Sequence, residues 1–452
     1  MSYDLPLTAF TRRQFLSTGL VMASAAVAVP HFIQASAMGL QRAQPGAKSI
    51  PGVNEDNIFV VIQLSGGNDG LNTVVPFGDQ AYYRARPGIG VRADRVIKLS
   101  KAEEGLHPSL APLADLYNEG LLGIVQGVGY PNPNRSHFKS MDIWHTAETS
   151  GTGEGWLGKY FDSECVGFGA FESGGRGRAP ATPATSPKLG KGHNPQIGIA
   201  IGASAPLAMK GRAISAVSFE SADLFRWTGA GEGDTLAQGY EQITRAGLPA
   251  GVDPDSNTGF LTRTALDAQI SSDMIRKAVG TRPRTQYPNS ELARQLQMVA
   301  SMIQSKLSTR VYYVSMGGFD THSGQGGEQG RHANLLGQYA AAIKAFYADL
   351  KAQGNDGRVL TMTFSEFGRR VGQNASQGTD HGTAAPMFLT GPMVTPGVLN
   401  PHPSLSDLDQ GDLKYTVDFR QVYASVLEKW LTADARRILG SKFDPAPIFR
   451  KS

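Results

Sequence analysis

"VYYVSMGGFDTHSGQ", residues 311–325, runs from a strand straight into chemistry. Val311 to Met316 is apolar and mostly β-branched or aromatic, the composition of a buried strand. Two glycines follow, then Phe319, Asp320, Thr321 and His322. One such ending proves little, but other strands in the chain end alike. "NIFVVIQL" (57–64) is a continuous apolar run of strand length ending in "SGGNDGLN", which supplies Asp69. "LLGIVQGVG" (121–129) leads to "YPNPNRSHFKSMDIWHTA", which supplies Arg135, Ser136 and His137. "RVLTMTF" (358–364) ends in "SEFGRR", which supplies Glu366 and Arg369, and Asp380 and His381 stand just before the short strand "PMFLTG" (386–391).

Helical patterns alternate with these strands. Residues 107–120 carry Leu110, Leu113 and Leu116 on one face before a glycine stop. Residues 289–307 place Leu292, Leu296, Val299 and Ile303 together, with Asn289 or Ser290 as cap. Residues 331–354 and 418–431 read as two further helices. The alternation predicts an α/β fold with a mostly parallel sheet flanked by helices on both faces. Ligands of such sheets bind at the carboxyl ends of the strands. If the strands are parallel, the polar loops open on one edge.

Composition narrows the function. The chain has 452 residues, 40% of them hydrophobic, enough for a large core. A formal net charge of +4 without a long Lys/Arg run argues against nucleic acid as a partner. The single cysteine, Cys165, excludes an intramolecular disulfide and a cysteine-based metal site. The N-terminus has paired arginines, Arg12 and Arg13, a short apolar stretch from Gly19 to Val29, and "ASA" at 35–37. This reads as a twin-arginine signal peptide over 1–37, cut after about Ala37. The twin-arginine translocase is then a partner during export, and the mature protein is periplasmic or secreted. The apolar stretch is too short for a stable membrane span. Residues 38–56 read as a linker, 57–450 as a single domain, and about 149–193 as a Gly/Pro-rich loop insertion.

Carboxylates and imidazoles brought to one sheet edge, with no sulfur, suit zinc, manganese, magnesium or calcium. Acids this close repel one another unless a cation sits among them. Ser136 begins a helix, where a serine is ordinarily a cap. Free N–H groups and the helix dipole also make that position a good seat for an oxyanion. Each candidate has a plainer role available. Asp69 fits an Asx-turn, Asp320 and His322 a hydrogen-bonded loop pair, and Glu366 and Arg369 a structural ion pair. His107 and His145 read as structural.

The order of these features resembles the alkaline phosphatase superfamily, which includes sulfatases, phosphoglycerate mutases and phosphodiesterases. More closely, "SGGNDGLNTVVP", "NRSHFKSMDIWHT", "GGFDTHSGQ", "FSEFGRR", "GTDHGTAAPMFLTG" and "DFRQVYASVLEKWL" are similar to an exported bacterial family, domain-of-unknown-function family 1501, placed in that superfamily. The resemblance implies an alkaline phosphatase-like fold. Asp69 stands where the superfamily keeps an aspartate that bridges two metals, and Ser136 where it keeps its nucleophile. Asp320 matches the aspartate of the first late metal pair. Its histidine partner usually lies four residues on, where Gly324 stands here, so His322 and His332 are both candidates. Glu366-Phe367 replaces the superfamily's Asp-His pair, and Asp380-His381 takes the place of its last histidine ligand.

The expectation is a metal-dependent hydrolase of phosphate or sulfate esters. One or two divalent ions would be held by Asp69, Asp320, His322, Glu366, Asp380 and His381. Ser136 would attack, with His137, Arg135 and Arg369 on the substrate's oxygens. The alternative is an exported phosphatase-fold protein that binds an acidic glycan or protein partner without turning it over.

Overall fold

The computed structural model describes residues 56–99, 103–165, 194, 196–212, 214–221 and 274–450. The expected signal peptide, nearly all of the linker, and the Gly/Pro-rich stretch 166–193 lie outside the described residues.

The core is one nine-stranded sheet. Its strands are β1 (Ile58–Leu64), β2 (Leu122–Gly129), β3 (Gly198–Ile201), β4 (Val217–Phe219), β5 (Val311–Met316), β6 (Val359–Phe364), β7 (Ala385–Thr390), β8 (Gly397–Val398) and β9 (Val417–Asp418). Across the sheet they run β8-β2-β7-β6-β1-β5-β3-β4, with β9 also paired to β2. β1 sits centrally, parallel to β5 (Ile62 opposite Val314) and to β6 (Ile62 opposite Thr363). Every residue of β1 is buried. Alternate side chains feed two cores: Phe59 and Val61 face one, Ile58, Val60, Ile62 and Leu64 the other. That two-sided burial explains why the sequence reads as an unbroken apolar run rather than an alternating one.

Helices cover both faces, as expected. On one side lie α2 (Ala111–Asn118), α5 (Glu291–Gln304) and α6 (Arg331–Gln353), after the single turn α1 (Gly70–Thr73) at the end of β1. On the other lie α3 (His137–Thr146), α4 (Trp156–Cys165) and α7 (Phe419–Ser425). Ser290 caps α5, its hydroxyl accepting from Ala293 N. Gly354, left-handed at φ +73°, stops α6.

Three expectations need correction. First, β7 is antiparallel to both neighbours, with Phe388 opposite Thr363 on β6 and Ile124 on β2. Asp380 and His381 precede β7, so in a parallel strand they would sit at the wrong edge. The reversal brings them to the carboxyl ends of the other strands. Second, the stretch 149–193 is not loop throughout: α4 buries Trp156, Leu157, Tyr160 and Phe161. That four-residue recurrence is a helical face, and the Gly/Pro composition further on masked it. Third, the helix expected over 418–431 is α-helical to Ser425 and then widens into a π-turn at Val426–Trp430.

Candidate metal centre

The site grows out of close approaches that only glycine permits. Gly66, one residue past Ser65 at the end of β1, has φ +119°, and a Cβ there would lie 2.4 Å from the backbone nitrogen of Asp320. Its N–H donates to Glu366 Oε1 at 2.8 Å. Three loops, after β1, β5 and β6, are therefore stitched together beneath the site.

Above them three imidazoles surround Asp320. His381 Nε2 and His322 Nε2 each lie 3.1 Å from Asp320 Oδ1 and 2.9 Å from one another. His137 Nε2 lies 3.5 Å from Asp320 Oδ2. His137, Asp320 and His381 bring their ligand atoms within 4.8 Å of one another, a geometry that suits a metal ion.

The other ring nitrogens are equally ordered. His137 Nδ1 meets Glu366 Oε1 at 2.8 Å, His322 Nδ1 meets Asp380 Oδ1 at 3.0 Å, and His381 Nδ1 meets the Arg135 carbonyl at 2.8 Å. A carbonyl or an ionised carboxylate only accepts, so a proton on each Nδ1 suits these partners, and with that tautomer each Nε2 would offer a lone pair to an ion in place of a hydrogen bond to Asp320. Metal-binding histidines are held this way, one nitrogen on an oxygen acceptor and the other on the ion. With those tautomers, the lone pairs and the carboxylate would repel one another at such distances unless a cation lay among them. The 2.9–3.1 Å spacings of Asp320 Oδ1, His322 Nε2 and His381 Nε2 are near the roughly 2.8–3.0 Å between adjacent octahedral ligands and shorter than the roughly 3.3–3.4 Å between tetrahedral ones at 2.0–2.1 Å from an ion.

Electrostatics agree. Burial works to raise the Asp320 carboxyl, but hydrogen bonds from Arg369 and His381 and the nearby positive charges hold it down at about 2. Asp320 is thus an anion at any working pH. Burial lowers His381, favouring the neutral, ligating form. The hydrogen bond to His322 holds Asp380 below the usual carboxylate range.

Ser136 is the N-cap of α3, exposed, and its side chain makes no capping hydrogen bond. Its neighbours on both sides touch the cluster, Arg135 through its carbonyl and His137 through its ring. Ser136 thus stands in the chain between two residues of the cluster, and its hydroxyl has no helix-capping task.

Other expected residues take different places. Asp69 is fully buried and salt-bridged to Arg86 at 2.6 Å, with Gln325 Nε2 donating to the same oxygen at 2.5 Å. It is not among the residues whose ligand atoms converge. Burial opposes its charge, but the Arg86 guanidinium keeps its carboxyl below the usual value. Glu366 and Asp380 stand behind His137 and His322, orienting them. Arg369 is buried and spends its N–H groups on the carbonyls of Gly66, Gly67, Phe319 and Thr379 and on Asp320 Oδ1, so it locks loops rather than facing a substrate. Arg135 pairs with the buried carboxylate of Asp412. His332, the rival to His322, is buried with Nε2 on Asn68 and lies outside the cluster. His107 bonds the Gly327 carbonyl and His145 the Tyr313 hydroxyl, both structural roles. Cys165 is buried and free, and burial pushes its thiol up to about 12. Sequence reasoning missed Arg86 and Gln325. Arg86 sits in no motif and Gln325 closes "GGFDTHSGQ" as an uncharged amide, and only the fold reveals that each pairs with Asp69.

The comparison with protein families now has a geometry to attach to. Residues 233–442 match the family described as Protein of unknown function (DUF1501). The DUF1501 segment carries Asp320, His322, Glu366, Arg369, Asp380 and His381, whereas Asp69, Arg135, Ser136 and His137 precede it. None of the curated proteins matches the chain. Among solved structures, the chain is similar to the lipoteichoic acid synthase LtaP from Listeria monocytogenes, at 9% identity over 81% of this chain and 72% of that one, with a TM-score of 0.32. It is similar to the PsFucS1 sulfatase from Pseudoalteromonas sp., at 10% identity over 85% and 68%, with a TM-score of 0.34. A phosphonate monoester hydrolase, SpPMH from Silicibacter pomeroyi, gives 10% identity over 76% and 69%, with a TM-score of 0.26. At these scores the likenesses carry no argument about what the chain does.

Proposed function

We propose that the chain is a metal-dependent hydrolase of phosphate or sulfate esters in which Ser136 is the nucleophile. The observation that carries this reading is the common orientation of His137, His322 and His381, each with Nδ1 on an oxygen acceptor and Nε2 toward Asp320. Asp320, His322 and His381 would hold a divalent ion, with His137 on its Ser136 side. Nitrogen donors favour zinc over calcium, which prefers an all-oxygen shell, and the carboxylate of Asp320 keeps manganese among the ions to be tried. Such an ion would supply charge stabilisation to the ester oxygens and a lowered pKa to a neighbouring hydroxyl.

The chain's own residues do the rest. Ser136 Oγ gives its proton to solvent and bonds to phosphorus or sulfur, while the bond to the ester's alcohol breaks and the alcohol leaves with a solvent proton. Water then cleaves the serine ester, releasing phosphate or sulfate and restoring the hydroxyl. Glu366 and Asp380 fix the His137 and His322 rings throughout.

Activity is to be screened with phosphate and sulfate monoesters, with zinc, manganese, magnesium and calcium each added. The reading predicts hydrolysis with at least one ion and its loss in Ser136→Ala. Unchanged hydrolysis in that variant would overturn it.

A second reading is supported by the arginines. Arg369 is committed to backbone carbonyls and Asp320, and Arg135 to Asp412, so neither is free to clamp an ester. A protein that binds metal and retains an acidic glycan, yet hydrolyses no ester, would fit this binding role. For either reading we propose export by the twin-arginine pathway, on the strength of Arg12, Arg13 and the short apolar stretch. Exchanging both arginines for lysine should leave uncleaved precursor in the cytoplasm. Cleaved, exported protein from that variant would refute the route. Among the described residues no helix is long and apolar enough to cross a membrane.

A further inference from the structure

We infer that Gln325 is a positioning residue for the candidate metal centre, an inference that rests on reading the cluster as a metal site. His322 and His381 come from different loops, the one after β5 and the one before β7. Their relative placement therefore depends on whatever ties those loops together. Gln325 is fully buried between them. Its Oε1 accepts from Thr321 Oγ1 at 3.0 Å and from Thr379 Oγ1 at 2.7 Å. Its backbone N–H donates to Gln377 O at 3.0 Å, and its carbonyl accepts from His332 N at 3.1 Å. Thr321 lies between Asp320 and His322, and Thr379 directly precedes Asp380. One amide thus holds the residue next to His322 and the residue two before His381.

The far end of the side chain is anchored. Gln325 Nε2 donates to Asp69 Oδ2, the oxygen that also faces Arg86. Arg86 in turn donates to the carbonyls of Arg370 and Val371, each at 2.9 Å. Asp69 therefore acts on the cluster through Gln325. The residue type follows from the partners: a carboxylate demands a donor, and two hydroxyls demand an acceptor. An amide offers both, whereas glutamate would set two carboxylates against each other. Sliding either loop would part the two Nε2 atoms that now lie 2.9 Å apart.

The test is metal binding by calorimetry with zinc or manganese alone, together with the visible spectrum of the cobalt(II)-loaded protein. Removing such an outer hydrogen-bond partner typically weakens metal binding by about 10–100-fold. Gln325→Met is expected to weaken binding by that factor and to shift the cobalt bands. Thr379→Val should lose a few-fold. Tyr287→Phe serves as a stability control. It removes a hydrogen bond to Asp349 at the opposite end of α6 and should leave affinity and spectrum unchanged. If Gln325→Met fails to fold, Thr379→Val and Thr321→Val carry the comparison. Parental affinity and an unaltered cobalt spectrum in the variants would overturn the inference. Failure of the parent protein to bind any of these ions would sink the metal reading itself, and the inference with it.

Discussion

At the scale of single residues, Asp69 shows how a letter in a motif acquires its role from a partner elsewhere. The sequence places it after the first strand among glycines, where it reads as a metal ligand. In the fold it is sealed against Arg86, and its second oxygen, Oδ1, has no partner among the described residues. Breaking one side of a buried pair leaves an uncompensated charge and costs about 3–5 kcal/mol. Arg86→Met should therefore destabilise the protein by about that much in urea unfolding. The pair also sets a pH dependence. The folded-state carboxyl is depressed below 3.8, so its contribution is complete above pH 3.8 and is lost as pH falls below it. The stability gap between parent and Asp69→Asn should narrow as pH falls below 3.8. A gap that stays constant down to pH 2 would contradict the assignment. Asp320, His322, Asp380 and His381 were legible because acids and imidazoles beside strands are a visible pattern. Gln325 and Arg86 were not, because a lone amide or guanidinium shows its function only when the fold supplies its partner.

At the scale of elements, the sequence carries the five main sheet strands almost to the residue. Two-sided burial makes each a dense apolar run bounded by glycine or polar loops. Strand direction is not written in that pattern. An antiparallel β7 and a parallel one would read identically, and only the loop from Phe364 back to Ala385 decides between them. That reversal is what lets His381 join His322. The loop after β1 is the most exacting piece of backbone in the site. Gly66→Ala would place a Cβ 2.4 Å from the Asp320 nitrogen at φ +119°. Backbone strain of this kind costs of order 1–3 kcal/mol before any clash is counted. The variant should melt lower by calorimetry and bind metal more weakly. Parental stability and parental affinity together would show that the loops do not meet as described. The orientation of His137 depends on Glu366, so Glu366→Gln should weaken metal binding by about 10–100-fold while leaving α3 intact by circular dichroism.

At the scale of the whole molecule, the cluster joins parts far apart in the chain. His137 precedes the DUF1501 segment, whereas Asp320, His322 and His381 lie within it. A bound ion would cross-link loops from three regions of the sheet edge, so it should act on global stability. An ion at a hundred times its dissociation constant stabilises by about 2.7 kcal/mol. Chelation should lower the melting temperature, re-addition should restore it, and His322→Ala should abolish the response. The central claim is that these imidazoles and Asp320 share a cation. Elemental analysis of protein purified from its native host tests it most directly, with His381→Ala analysed alongside. The account predicts a stoichiometric divalent metal in the parent and its loss in the variant. Parent protein free of metal, or a variant that keeps the full complement, would contradict it.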